Sequence, residues 1–238
     1  MQIVLQMKDK IFIVIAAYNE EKNLPKVVES LKNAGYHNII AVDDGSIDNT
    51  FNAAKKSGAI ALRHVINRGQ GAALKTGMDY ALQQGAEIIV TFDADGQHRI
   101  EDLPAMINPV AEKRVDITIG SRFLRKTKVP LRRKILLKGS VWVIWLFYGL
   151  KMTDAHNGFR AMSKYAAQKI KITCNRMAHA SEIIDEIRRN RLRYKEIPVT
   201  IIYTKETLKK GEGSYFGALK ILSTMISRKI VRRRKIRR

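Results

Sequence analysis

The sequence contains only one cysteine, Cys174, so no disulfide can form within the chain. This excludes the small disulfide-rich folds and suits a reducing compartment, and we interpret Cys174 as a small buried apolar residue. The first ten residues have no basic stretch before an apolar core, so they do not resemble a signal peptide. The most apolar run, residues 141–150, is ten residues long, whereas a membrane-spanning helix needs about 20. We therefore expect no spanning segment.

Acidic residues are scarce in the second half of the chain. Residues 1–120 contain 13 Lys and Arg against 15 Asp and Glu, whereas residues 121–238 contain 31 against 7, and the net charge is +22. Such asymmetry indicates a polyanionic partner, either nucleic acid or anionic lipid. Because 45% of the residues are hydrophobic, the chain can bury a sizeable core and is not disordered as a whole.

Strand-like and helix-like segments alternate through the first 120 residues. Apolar runs predict strands over 11–16, 39–42, 60–62, 87–92 and 115–119, and helical spacing predicts helices over 24–31, up to about 56, over 71–84 and over 101–111. We expect Ser46 or Asp48 to cap the second helix. The pattern predicts an α/β fold with a mostly parallel sheet and helices on both faces.

Acidic and polar residues follow three of the predicted strands. Tyr18, Asn19 and Glu20 follow the first strand, Asp43-Asp44 follow the second, and Asp93-Ala94-Asp95 follow the fourth. Ligands bind to such sheets beyond the carboxyl ends of the strands, so the three clusters are expected to converge on one crevice.

The pair Asp93 and Asp95 is a candidate metal site. Gly96 after the pair predicts a turn that brings both carboxylates together. Two carboxylates suit Mg²⁺ or Mn²⁺, with water and phosphate oxygens completing the coordination. A nucleoside diphosphate leaves readily once such a cation neutralises its developing charge. A solvated acidic turn is the alternative.

Each of the other candidate sites has two interpretations. Asp43-Asp44 suits either hydrogen bonding to a base or ribose, or the start of a helix. Tyr18 would stack on a base beside Glu20, or lie at the edge of the core. The glycine-rich segment 67–71 precedes a helix and would bind phosphate or form an ordinary loop.

Taken together, these motifs resemble the family 2 glycosyltransferases with the GT-A fold, and within them the dolichyl- or polyprenyl-phosphate sugar synthases. The matching stretches occur in the family order across roughly residues 10–203: AAYNEE at 16–21, VDDGS at 42–46, NRGQGAA at 67–73, DADGQH at 93–98, GSRF at 120–123, and Asp154 with NGFR at 157–160.

The resemblance implies roles for particular residues. Contacts to the donor are expected from Ala16, Tyr18, Asn19, Glu20, Asp43, Asp44, Asn67, Gln70, Asp93 and Ala94, with Asp44 favoured over Asp43. Asp93, Asp95 and Gln97 would bind the metal and diphosphate, and Asp95, Arg122 and Arg133 would be catalytic. Arg122, Arg133 and Glu182 would contact the acceptor, although Glu182 equally suits a helix N-terminus.

The sequence departs from the family pattern at three points. Ala16 replaces a proline, and Gln70 replaces a lysine that would contact phosphate. The late arginine of the family has no clear counterpart, and Lys209 or Lys210 is the candidate replacement.

The second half of the chain contains two candidate membrane segments. Residues 131–150 join basic residues to two tryptophans and a tyrosine, which is typical of an interfacial helix, with a core helix as the alternative. Residues 211–238 combine an apolar helical face with eight cations between Arg228 and Arg238. We expect a glycosyltransferase domain over 1–210, with a nucleotide-binding half (1–120) and an acceptor half (121–210), followed by a membrane-binding tail (211–238).

The resemblance implies an inverting, metal-dependent transfer of a sugar from a UDP- or GDP-linked donor to a polyprenyl or dolichyl phosphate. The enzyme would work peripherally at an anionic membrane, on the cytoplasmic face of the cell or endoplasmic reticulum membrane. The alternatives are a saccharide acceptor, a nucleotidyltransferase that forms the nucleotide sugar, and a nucleic-acid-binding protein. The last alternative gives no reason for acidic residues at three strand ends, so no nucleic-acid partner is expected.

Overall fold

The computed structural model describes residues 7–125, 139, 141, 145–146, 149–154 and 157–203. Several predictions fall elsewhere: Arg133, Lys209, Lys210, most of the 131–150 segment and the basic tail at 211–238 lie outside the described residues.

Among the described residues, seven strands form one mixed sheet. They are β1 (Ile11–Ala17), β2 (Ile39–Asp43), β3 (Ile60–Arg63), β4 (Ile88–Asp93), β5 (Ile117–Ser121), β6 (Arg160–Ser163) and β7 (Tyr194–Pro198). Their spatial order is β3-β2-β1-β4-β6-β5-β7, and all neighbouring pairs are parallel except those made by β6. The mostly parallel sheet is therefore confirmed, and β7 is one of its two edge strands.

In the described part of the chain, six α-helices cover the two faces of the sheet. They are α1 (Leu24–Asn33), α2 (Thr50–Lys56), α3 (Gln70–Gln83), α4 (Leu103–Ala111), α5 (Lys164–Lys169) and α6 (His179–Arg189). Buried apolar residues of α1, α2 and α4 pack in one cluster, and those of α3, α5 and α6 pack in the other. β1 and β4 supply alternate residues to both clusters, which explains why their sequences are almost continuously apolar.

The antiparallel strand β6 and the short helix α5 after it were not predicted. β6 is inserted between β4 and β5, with Thr91 and Ile119 both opposite Arg160. Because β5, β6 and β7 extend the sheet formed by β1–β4, the described parts of the predicted nucleotide-binding and acceptor halves share one sheet.

A few residues of the 131–150 segment are described. Val141 and Leu150 pack against the core, whereas Trp145 and Leu146 are exposed. Within the described part of the chain, no helix is both long and apolar enough to span a bilayer.

Candidate active site

The carboxyl ends of β1, β2 and β4 meet at one edge of the sheet, as predicted. Ala17 pairs with Asp43 and Ala16 pairs with Asp93, so the two acidic clusters flank the end of β1. Ala16 therefore lies near the end of β1, between the two acidic clusters. Ala94 follows β4 directly and is buried.

Asp44 holds the loop that leads into α3. Its Oδ1 accepts hydrogen bonds from His64 Nδ1 (2.7 Å) and the Arg68 amide (3.0 Å), and its Oδ2 accepts one from the Gly69 amide (2.6 Å). Both carboxylate oxygens are therefore engaged by the protein.

Asp43 is used differently. Its Oδ1 accepts the Ser46 amide (2.9 Å), while its Oδ2 lies 3.2 Å from Arg63 Nε and makes no hydrogen bond among the described residues. Both carboxylates are buried, and the preference for Asp44 as the donor contact stays a prediction. Neither residue caps α2, because that helix begins at Thr50, whose amide is held by Asp48 Oδ1 (3.0 Å).

Residues 18–20 connect β1 to the loop after β2. Asn19 has a left-handed backbone (φ 54°), donates its amide to Ser46 Oγ and accepts the Ile47 amide on Oδ1. The Glu20 amide donates to Thr50 Oγ1. The side chain of Asn19 is therefore structural. Tyr18 is 45% exposed at this end of the sheet, which suits either a stacking surface or a residue at the edge of the core.

Asp93 is held by two neighbouring side chains. Its Oδ2 lies 2.8 Å from His98 Nε2, and its Oδ1 accepts a hydrogen bond from Gln70 Nε2 (3.2 Å). Burial would raise the pKa of Asp93, but His98, Arg160 and His179 outweigh it and lower the pKa. Asp93 is therefore firmly anionic.

Asp95 has the opposite electrostatic environment. Burial and then the charge of Asp93 raise the pKa of Asp95, and Glu20 adds to this repulsion. Gly96 has φ 72°, which forms the predicted turn, and the Gln97 amide donates to Asp95 Oδ1 (3.0 Å). The described contacts of Gln97 are made by its backbone, including its carbonyl, which accepts the Ile202 amide.

The Asp93–Asp95 pair fits a divalent cation. Among the described residues, no three His, Cys, Asp or Glu side chains are grouped as a complete metal site. The mutual repulsion of the two carboxylates is nevertheless what a cation would relieve. Mg²⁺ in nucleotide sites is typically held by one or two carboxylates together with substrate phosphates, which matches this pair.

A series of alternating charges extends behind Asp93. Arg160 is 1% exposed, its Nε and Nη1 have no hydrogen-bond partner among the described residues, and it feels the charges of Asp93 and Asp154. Burial lowers the pKa of Arg160 to about 10, so it remains a cation at neutral pH. Asp154 in turn accepts Arg122 Nε (2.6 Å) and the Arg122 amide (3.2 Å). Arg160 therefore links the acidic pair to Arg122 electrostatically.

Arg122, the predicted phosphate ligand, is buried and oriented by two partners. Besides Asp154, its Nη1 donates to the Tyr203 hydroxyl (3.3 Å). Burial would lower the pKa of Arg122, but Asp154 and Tyr203 raise it, so the guanidinium stays charged.

Glu182, the predicted acceptor contact, is buried and anchors a neighbouring loop. Its carboxylate accepts hydrogen bonds from the Thr173 amide (2.8 Å), Thr173 Oγ1 (2.7 Å) and the Cys174 amide (2.7 Å). The same loop packs on the segment before α3, because the Asn175 carbonyl accepts the Ala72 amide and closely approaches Gly69.

The loop containing Asn67 and Gln70 is thereby enclosed by two anchored structures. Asp44 holds it from the β2 side, and the 173–176 loop covers it from the α6 side. Gln70 reaches Asp93, so this loop contacts the acidic pair directly. Cys174 lies in the covering loop and is only partly buried, whereas a buried residue was expected from the sequence.

Sequence reasoning assigned no role to Arg160 or His179. The motif containing Arg160 was part of the family resemblance, but its role depends on β6, which was not predicted. His179 is 2% exposed, near Arg160 and Asp93, and its Nδ1 lies 3.0 Å from the Arg176 carbonyl.

Comparisons with known proteins agree with this geometry. The model of glycosyl transferase family 2 matches residues 12–171. The chain is 35% identical to the UDP-N-acetylglucosamine–dolichyl-phosphate N-acetylglucosaminyltransferase of Methanococcus voltae, over 89% of this chain and 93% of the relative. It is 27% identical to the undecaprenyl-phosphate mannosyltransferase of Micrococcus luteus, over 87% and 90%.

A solved structure has the same fold. The glucosyl-3-phosphoglycerate synthase of Mycobacterium tuberculosis, in complex with Mg²⁺ and uridine diphosphate, superimposes with a TM-score of 0.72 at 16% identity, over 95% of this chain and 82% of that one. At that identity the likeness concerns the fold alone.

Proposed function

We propose, because this chain belongs to glycosyl transferase family 2, that it transfers a sugar from a nucleotide sugar to a polyprenyl or dolichyl phosphate at a membrane surface. The observation that carries the proposal is the Asp93–Asp95 pair at the carboxyl edge of the sheet, where two repelling carboxylates face the expected donor site. The full-length relatives named for lipid-phosphate acceptors support the second half of the reaction.

The donor would lie across the ends of β1, β2 and β4. The exposed Tyr18 ring offers a stacking surface, and the buried carboxylates of Asp43 and Asp44 would bound the base or ribose at the end of β2. Asp93 and Asp95 would hold Mg²⁺ or Mn²⁺, which neutralises charge on the departing diphosphate. Gln70 contacts Asp93, so it keeps that carboxylate in place from the start of α3.

The acceptor would approach beside Arg122. A phosphate monoester has a second pKa near 6, so it is largely dianionic at neutral pH and needs no general base to attack. It needs positive charge that offsets the repulsion from the donor diphosphate, and the guanidinium of Arg122 is held charged there by Asp154. Arg133 would add a second cation. Attack opposite the leaving diphosphate inverts the anomeric carbon in one displacement.

A saccharide acceptor is less well supported. A sugar hydroxyl would need a general base, and Glu182, the carboxylate predicted near the acceptor, is engaged by Thr173 and Cys174. We place the enzyme peripherally on the cytoplasmic face of its membrane, where nucleotide sugars are made available.

The test uses the purified full chain with undecaprenyl and dolichyl phosphate in detergent, a panel of UDP- and GDP-sugars, and Mn²⁺ or Mg²⁺. We expect a lipid-linked sugar of inverted configuration with one class of donor, and loss of product with EDTA. Transfer to free saccharides without any lipid-linked product would reject the acceptor.

A matched pair of variants tests the metal ligands. Asp95→Asn should lower turnover about 100- to 1000-fold, the usual effect of removing a group that stabilises developing charge. Asp79→Asn makes the same chemical change at a half-exposed residue paired with Lys75 on α3, and it should retain full activity. Full activity of Asp95→Asn would remove that carboxylate from the mechanism.

A further inference from the structure

Three large apolar side chains are exposed on two loops that touch each other, the loops after β2 and β3. Ile47 is 90% exposed, Val65 is 98% exposed and Ile66 is 69% exposed. Exposed β-branched residues are common singly, but a cluster of them on adjacent loops indicates a contact surface. We propose that Ile47, Val65 and Ile66 form a docking rim that inserts into an anionic lipid surface and turns the active site toward the membrane.

The two loops that form the docking rim are fixed to each other. A Cβ atom on Gly45 would lie 2.6 Å from the carbonyl carbon of Ile66, so the two loops are in direct backbone contact. Arg63 Nη2 donates to the Ser46 carbonyl (3.2 Å), and Asn19 Oδ1 accepts the Ile47 amide (3.1 Å). The apolar side chains are therefore displayed on a braced surface, which lowers the entropy lost on insertion.

The residues around the docking rim suit anionic lipid. Arg63 and Arg68 bracket Val65 and Ile66 in sequence, and both are exposed. Arg63 also pairs with Asp43, so Arg68 is the cation of the two without an acidic partner in the described ion pairs. The exposed Arg176 joins them, because its Cγ would lie 2.8 Å from a Cβ on Gly69. Asp48, beside Ile47, turns its carboxylate inward to the amides of Thr50 and Glu21. Apolar tips surrounded by arginines match the headgroup region of an anionic bilayer.

Charge argues against a second copy of the chain as the occupant. A two-fold contact through the docking rim would bring Arg63, Arg68 and Arg176 of one copy near the same residues of the other. Two chains that each carry +22 also repel each other over longer distances. An anionic membrane converts the same arginines into attraction.

The position of the docking rim is consistent with the proposed reaction. β2 ends at Asp43, and the loop that carries Ile47 begins with Asp44, so the rim lies at the same end of the sheet as Asp93 and Asp95. Insertion of the rim would hold this edge against the surface in which a lipid phosphate resides. The role of the docking rim in catalysis rests on the proposed lipid acceptor. The experiments on membrane insertion do not depend on that acceptor.

A fluorescent label reports insertion directly. In the full chain with Cys174→Ser, Val65→Cys carries an environment-sensitive fluorophore, and Tyr165→Cys provides the control. Tyr165 is 52% exposed on α5. This helix follows Ser163, which pairs with Ile88 at the start of β4, so Tyr165 lies toward the end of the sheet opposite to the docking rim. With vesicles of phosphatidylcholine and 30% phosphatidylglycerol, we expect a blue shift and several-fold brighter emission at position 65, and no change at position 165.

Unlabelled variants supply a second measurement. In a sedimentation assay, Val65→Asp should weaken binding to the same vesicles about tenfold, the effect of losing roughly one buried aliphatic side chain. Tyr165→Asp should leave vesicle binding unchanged. Activity of Val65→Asp on acceptor in detergent should equal that of the unmodified chain, which separates this proposal from the proposed function. Vesicle binding with position 65 still in water, absence of vesicle binding, or a label response caused by self-association without lipid would each overturn it.

Discussion

His179 is a buried residue whose charge state depends on its neighbours. Burial, followed by the nearby charge of Arg160, lowers the pKa of His179 to about 4, against the opposing effects of Asp93 and Glu182. In the unfolded chain the pKa is near 6.5. Between these two values the unfolded state binds a proton that the folded state does not, so stability falls as pH drops from above 6.5 toward 4.

The corresponding prediction concerns the slope of stability against pH. From pH 7.5 to pH 5, His179 should account for a loss of about 2 kcal/mol in the free energy of unfolding. In His179→Gln this part of the loss should disappear, whatever the absolute stability of the variant. Urea unfolding at the two pH values measures it, with the exposed His37 as control. An unchanged slope in His179→Gln, or a flattened one in His37→Gln, would contradict the assignment.

Residue types and spacing were enough to predict that Asp93 and Asp95 lie at the carboxyl end of β4 and that a turn forms at Gly96. They were not enough to show that Asp43 and Asp44 have different partners, because both residues are acidic and both were expected to follow a buried strand. The difference arises from His64 and the amides at 68 and 69, which reach Asp44 through a loop whose path the sequence does not specify. Contacts made by side chains with distant backbone amides are the part of a site that spacing alone cannot supply.

At the scale of elements, the antiparallel insertion of β6 shapes the acidic site. It brings the segment before Arg160 against the end of β4, where Thr91 Oγ1 donates to the Gly158 carbonyl (2.6 Å). Gly158 leaves room for the carboxylate of Asp93, because a Cβ atom there would lie 2.6 Å from Asp93 Oδ2. β6 is only four residues long and lacks clear alternation, so no strand pattern marks it in the sequence.

Gly158→Ala should therefore displace Asp93. A shift of about 1 Å in a catalytic group can cost about 100-fold in rate, so turnover should fall by that order while the fold persists. Gly139→Ala is the matched control, since a Cβ atom there meets nothing within 4 Å. Turnover and thermal melting of the two variants provide the comparison. Normal turnover of Gly158→Ala would show that Asp93 need not occupy its present position.

The loop before α6 offers a test of the role of Glu182. Glu182→Gln replaces a carboxylate that accepts three hydrogen bonds, so Thr173 and Cys174 should lose part of their anchor. Because this loop covers the segment 69–72, we expect the KM for the nucleotide sugar to rise several-fold, with the KM for the lipid acceptor unchanged.

Glu186→Gln is the control for that variant. Glu186 is also buried on α6, but it pairs with Arg189 away from the covering loop. Its replacement should change stability and leave both KM values as they are. A rise in the acceptor KM alone for Glu182→Gln would restore the original prediction that Glu182 contacts the acceptor.

At the scale of the whole molecule, two kinds of surface force would hold the enzyme to a membrane. The segment 232–238 contains six of the cations in the basic tail, and each is worth up to ~1 kcal/mol near an anionic leaflet. The docking rim contributes through apolar insertion. Electrostatic attraction is screened by salt, with a Debye length of about 8 Å at 0.15 M and 3 Å at 1 M, whereas apolar insertion is not.

The two contributions should therefore separate in a salt titration. Deletion of residues 232–238 should weaken partitioning into anionic vesicles at least tenfold at 0.1 M salt, and the difference should almost vanish at 1 M. Val65→Asp should weaken partitioning by a similar factor at both salt concentrations. Since the two changes act by different forces, their effects should add in the combined variant. Vesicle sedimentation over this salt range measures all four proteins, and a tail deletion that remained equally damaging at 1 M salt would show that the tail binds by something other than its charge.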